Sequence, residues 1–238
     1  SACGRAGAPV DEPGRVRLRL ASGGTVTAAH GGFYQAIATG AYERRGLNVE
    51  ILTEAAGADV PALLAASAVE LAIGADSFAP LRLIADRAPV KAVAAFLQKD
   101  PVVLMARPNQ PLETLSALRD RPILMSSADQ AGFWNWLRTR FELATDQARI
   151  GTPEDNLAAF RDDPKAVLVG RLTAGDPAMI AREAGFTPRV LIPADDGYPS
   201  YGGLVLAPNA FARDNAQALR DFIAASVEGW RDYVHGDG

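Results

Sequence analysis

From Val16 onward, short β-branched or apolar runs alternate with stretches of helical spacing. The runs at 16–20, 48–53, 70–73 and 90–96 predict strands. Between them, 32–45 carries Phe33, Ala36, Ile37, Gly40 and Ala41 at helical spacing and stops at Gly46, a residue type that closes helices in the left-handed conformation. A second helix is predicted over 59–68, with Asp59 as its cap and Pro61 in the first turn, where a missing N–H costs nothing. A third runs over 77–87 behind Ser77. Strand followed by helix, repeated, is the order of an α/β domain with a mainly parallel sheet.

A similar pattern begins after Asp100-Pro101. Strands are predicted at 102–106, 122–125 and 166–169, and helices at 112–119, 132–143, 155–161 and 177–184. Beyond Tyr201 a strand at 203–207 and an amphipathic helix over 215–233 have no lobe of their own. Returning them to the first half gives a discontinuous lobe, 16–98 plus 202–238, and an inserted lobe, 99–201. Residues 1–15, rich in Gly, Pro and Ala, form a flexible tether. The two chain crossings, near 98–101 and 198–202, make a two-strand hinge suited to closure on a ligand.

Composition narrows the function. With 238 residues, 48% of them hydrophobic, the chain can bury a substantial core. A net charge of −4 with scattered arginines argues against nucleic acid as a partner. Apolar runs such as 62–68 and 92–97 fall far short of the roughly 20 residues a membrane span needs. A single cysteine and two histidines exclude an internal disulfide and a multi-thiolate or multi-histidine metal site. There is no Gly-x-Ser-x-Gly elbow, phosphate loop or dinucleotide fingerprint. A non-catalytic monomer without cofactor or metal is therefore expected. Cys3, within Ser-Ala-Cys-Gly, is either the lipidated residue of a bacterial lipoprotein, placing the chain at the periplasmic side or cell surface, or an incidental thiol near the terminus.

In open α/β sheets ligands bind beyond the carboxyl ends of the strands. The loops following the predicted strands gather His30, Phe33, Tyr34, Trp134, Trp136, Tyr198 and Tyr201, much of an aromatic content of only 7%. Flat rings beside a cleft suit a planar ligand, although aromatics next to glycine also serve as lobe core. Ser126 and Ser127, with Asp129 and Gln130, precede a helix start, as do Asp76 and Ser77; such residues bind ligand groups or simply cap the helix. Arg171 is the one clear cation in these loops, since the three lysines, Lys91, Lys99 and Lys165, lie elsewhere.

The segments His30-Gly-Gly-Phe-Tyr-Gln-Ala36 and Gly40-Ala-Tyr-Glu-Arg-Arg-Gly-Leu-Asn-Val49 resemble the opening of periplasmic solute-binding proteins of the group serving thiamine-pyrimidine precursors, nitrate, alkanesulfonates and taurine. Asp100-Pro-Val-Val-Leu104, Gly170-Arg-Leu-Thr173 and Gly229-Trp-Arg-Asp-Tyr233 extend the likeness in order along the chain. The resemblance implies a type II periplasmic-binding-protein fold, a ligand held between lobes by hinge closure, and delivery to an ABC permease in the membrane. It also implies that His30, Tyr34, the Gly57 loop, Gly74 to Ser77, Ser126 to Trp134 and the Thr173 region face the ligand. Members continue past the Gly-Trp-x-Asp-Tyr phrase, and the glutamate expected after Gly-x-Leu-Thr is Asp176 here. The scarcity of cations in the loops favours a neutral or cationic heteroaromatic solute, a thiamine-pyrimidine type or a flavin fragment, over the nitrate, sulfonate or taurine alternative. The other alternative, an enzyme like the fungal thiamine-pyrimidine synthases, lacks its cysteine-rich motif and a lysine in a ligand loop.

Overall fold

The structure is a computed structural model that describes residues 10–11, 14–23, 26–53, 60–110 and 112–236. It divides into two compact units, one formed by Ser1–Gln98 with Tyr201–Gly238 and one by Lys99–Ser200. The first pass through unit 1 gives β1 (Val10–Asp11), β2 (Arg15–Ala21), α1 (Gly31–Ala38), β3 (Leu47–Leu52), α2 (Val60–Ala65), β4 (Leu71–Asp76), α3 (Phe78–Ala85) and β5 (Val90–Leu97). Unit 2 contains β6 (Val102–Ala106), β7 (Ile123–Met125), α4 (Asn135–Phe141), β8 (Ala148–Ile150), α5 (Pro153–Asp162), β9 (Val167–Arg171), α6 (Asp176–Ala184) and β10 (Arg189–Leu191). On its return to unit 1 the chain adds β11 (Gly202–Pro208), α7 (Asn209–Asp214) and α8 (Ala216–His235).

Unit 1 is built on a sheet ordered β1-β2-β4-β11-β5, with β3 paired to β2. In β2 the alternation sends Leu18 and Leu20 inward and Arg17 and Arg19 outward. Arg19 grips Glu70 through its guanidinium and its backbone N–H, tying β2 to the start of β4. β11 is buried from Gly202 to Ala207, as befits a strand paired on both edges. On one face of the sheet Phe33, Tyr42 and Phe222 stack, and α8 contributes Leu219, Phe222, Ala225, Ser226 and Gly229 at helical spacing. Gly229 lets α8 approach the α1 backbone: a Cβ there would stand 2.2 Å from the Gly32 carbonyl oxygen.

Unit 2 has the order β10-β6-β9-β7-β8, with β6 wholly buried between two antiparallel neighbours. The sheets are mixed rather than mainly parallel. Among the described residues only β2/β3, β2/β4, β7/β8 and β7/β9 run parallel, because β11 and β6 both lie antiparallel between their neighbours.

Several elements differ from the sequence reading for identifiable reasons. Val10–Asp11 falls in the segment read as a tether but pairs with Arg15 and Val16. The helix expected through 45 ends at Ala38, because Gly40 turns left-handed at φ +71°. Only a 3₁₀ turn, Leu115–Leu118, replaces the helix at 112–119: Leu112, Leu115 and Leu118 are buried at a spacing of three, the 3₁₀ period. The helix expected from Gly132 begins with a π turn, Gln130–Trp134, before α4. Asp59 lies outside the described residues.

Candidate functional site

In unit 1, His30 closes a 3₁₀ turn capped by Thr27. Its Nδ1 accepts the Thr27 N–H at 3.0 Å, so the ring proton sits on Nε2, which faces the Ser22 carbonyl at 3.2 Å. With both nitrogens engaged by its own chain, His30 pins the loop to the end of β2. Phe33 is 0% exposed and packs edge-on against Phe96, with Phe222 stacked beyond. Tyr34, its neighbour on the outer side, is exposed.

The cap assigned to Ser77 belongs to Asp76, whose Oδ1 accepts the N–H groups of Phe78 and Ala79 at 2.9 and 2.8 Å. Ser77 instead accepts the backbone N–H of Tyr201 at 2.9 Å, and the Tyr201 side chain is exposed. Asp76, Ser77 and Tyr201 thus meet at the carboxyl end of β4, opposite Gly202 at the start of β11. Gly57 and Cys3 lie outside the described residues.

In unit 2 a cavity of about 360 Å³ is bounded by β9, the segment after β7 and the first turns of α5 and α6. Ser126 and Arg171, from loops more than forty residues apart, are brought together on its wall. The Arg171 guanidinium pairs with the Asp129 carboxylate and also donates to the Gly170 carbonyl. Asp129 Oδ2 accepts from both the N–H and the hydroxyl of Ser126, the latter at 2.7 Å. The Arg171 N–H in turn donates to Asp176 at 2.7 Å. Burial by itself lowers the proton affinity of Arg171, but Asp129, with Asp100 and Tyr198 behind it, reverses the effect and holds the guanidinium above its ordinary value.

The other sites named from sequence in this unit do not line the cavity. Ser127 is exposed, Thr173 half-buried and Trp134 buried within the π turn. Tyr198 is buried against Trp136 and the edge of Phe133, with ring centroids 4.8 and 5.3 Å away.

Sequence reasoning left Asn156, Met105 and Met179 unnoticed as lining residues. Asn156 reaches the carbonyls of Met125 and Gly151, holding α5 to the end of β7. The Ser126 to Asp129 spacing of three was a readable capping signal, and Arg171 to Asp176 carried none.

Each unit is a mixed sheet flanked by helices, and the whole has the fold of the periplasmic binding proteins. The Escherichia coli periplasmic aliphatic sulphonate binding protein SsuA superposes with a TM-score of 0.72 at 18% identity, covering 91% of this chain and 69% of that one. The alkanesulfonate-binding protein SsuA from Xanthomonas axonopodis pv. citri, bound to MOPS, gives 0.64 at 16% identity, covering 95% and 75%. The chain belongs to the NMT1/THI5 like family, whose model matches residues 27–236. Among curated proteins, the riboflavin-binding protein RibY of Chloroflexus aurantiacus is 26% identical over 147 residues, which is 60% of this chain and 41% of that protein.

Proposed function

We propose that this chain is the solute-binding component of an ABC-type importer, acting in the periplasm or at the cell surface, and that its solute is an uncharged or cationic heteroaromatic molecule. Membership of the NMT1/THI5 like family and the binding proteins of the same fold support the first part. One observation carries the second: Arg171, the cation that lines the cavity of unit 2, is already paired with Asp129. Nitrate or a sulfonate would have to compete with that carboxylate. The riboflavin-binding relative is consistent with a flat, hydrogen-bonding solute of the flavin or pyrimidine kind. The proposed action is binding, with the two chain passages at 98–101 and 198–202 flexing as the solute is taken up and an ABC permease receiving it.

Calorimetric titration with hydroxymethylpyrimidine, riboflavin, taurine and nitrate tests the reading. Saturable binding of a heteroaromatic is expected, and small-angle scattering of that complex should show compaction. Binding of the anions alone would overturn the choice of solute.

A further inference from the structure

The lining of the cavity in unit 2 combines hydrogen-bonding groups with apolar side chains. Its polar groups, Ser126, Asp129, Arg171 and Asp176, sit where the strands finish, and the Arg171 side chain is 33% exposed there. Asn156 adds an amide engaged with the Met125 and Gly151 carbonyls, and the apolar lining includes Met105 and Ile180, both 0% exposed, with Leu157, Leu168 and Met179. Two of the chain's three methionines line the cavity, and thioether side chains adapt to the outline of whatever they meet.

The polar groups are close to self-sufficient. Arg171 binds Asp129 and Gly170, Asp129 binds Ser126, and Asp176 binds the Arg171 backbone. One guanidinium against two carboxylates leaves the lining formally negative, which repels a second anion. Its size also matters. The cavity's 360 Å³ is more than twice the roughly 150 Å³ that suffices for benzene in a dry apolar cavity. Gly170 lets Met105 and Asp176 pack closely against β9: a Cβ there would stand 2.6 Å from the Met105 methyl and 2.8 Å from Asp176 Oδ2.

We propose that this cavity takes the apolar end, an alkylated or fused ring, of an uncharged amphipathic solute whose hydrogen-bonding edge rests at the Arg171–Asp129 pair. The inference builds on the reading of the chain as a solute binder and adds where within unit 2 the apolar end goes.

The three methionines supply their own assay. In the full chain labelled with ¹³C at the methionine methyls, Met105 and Met179 report on the cavity and Met125, which does not line it, serves as the reference. Benzyl alcohol, a ring with one hydroxyl, should displace the Met105 and Met179 signals saturably while Met125 stays nearly still, and taurine should move none of them. Filling the space with Leu157→Trp or, separately, Met179→Phe should weaken benzyl alcohol by at least about tenfold at the Met105 signal. The thermal midpoint of each variant verifies that it is folded.

Failure to displace Met105 and Met179 with benzyl alcohol, or equal movement of all three signals, overturns the cavity assignment. If calorimetry shows riboflavin binding and neither cavity methionine responds to it, the assignment also fails while the solute-binding reading stands. If benzyl alcohol enters and no heteroaromatic binds, the cavity is an apolar site and the choice of solute is what fails.

Discussion

Replacing Arg171 with Met separates two ways in which a cation can occupy a binding protein. If Arg171 is committed to Asp129, its removal strands a carboxylate whose side chain is only 6% exposed. Breaking a fully buried pair by deleting one partner costs about 3–5 kcal/mol. Two features reduce that here: the Arg171 side chain is one-third exposed, and Asp129 keeps both donors of Ser126. A loss of about 2 kcal/mol follows, equivalent to about 4–8 °C in the midpoint of a chain this long. Asp129→Asn combined with Arg171→Met should recover much of it, since no charge is then stranded. A guanidinium held in reserve for an anion behaves oppositely, because removing an unpaired, partly desolvated charge leaves the ligand-free protein as stable as before or more so. Thermal unfolding of the two single variants and the double variant, without added solute, decides the matter. An unchanged or raised midpoint for Arg171→Met, or a double variant as unstable as the sum of the singles, would refute the commitment of Arg171 to Asp129 and with it the main support for an uncharged solute.

Two further outcomes are expected. Gly229→Ala should lower the midpoint more than Gly74→Ala, by about 1–3 kcal/mol in denaturant titrations: the first methyl meets the Gly32 carbonyl and the Ala36 backbone nitrogen, which cannot swing aside, whereas the second meets the Leu206 side chain at 3.3 Å. Tyr42→Phe should cost about 1 kcal/mol, because the buried Ser226 hydroxyl donates to the Phe222 carbonyl and accepts from Tyr42 at 2.8 Å. Burial holds the Tyr42 hydroxyl well above the usual tyrosine range. Its contribution is thus complete below about pH 10 and is lost as the unfolded chain ionises above it, so the stability of Tyr42→Phe relative to the parent should rise on going to alkaline pH.

β2 and β3 were legible because buried and more exposed positions alternate along them: 16–20 and 48–53 were read where Arg15–Ala21 and Leu47–Leu52 stand. The long last helix was legible for the same reason, its apolar positions repeating every three to four residues. β8 and β10, three residues each, are too short to show a period. Gly40 was read as a helical residue because sequence does not reveal which glycine turns left-handed. At the candidate site, the rule that ligands gather at strand ends pointed to the loops, but it says nothing of how each side chain is engaged. The sequence did not show that the two His30 nitrogens meet Thr27 and Ser22. The Arg171–Asp129 pair joins residues 42 apart, and only the packing of β9 beside β7 makes them neighbours.

The place of β11 has a consequence for the order in which the molecule is made. The strand is central to the sheet of unit 1, yet it follows the whole of unit 2 in the chain. Until it leaves the ribosome, β4 and β5 lack the partner that joins them, and each has an open edge able to recruit a foreign strand. At ordinary rates of synthesis the intervening hundred or so residues take about 5–20 s to appear. Unit 2, whose strands are all contiguous in sequence, can complete its sheet within that interval. Unit 1 waits for the strand that closes it, and during that time a chaperone has most to protect.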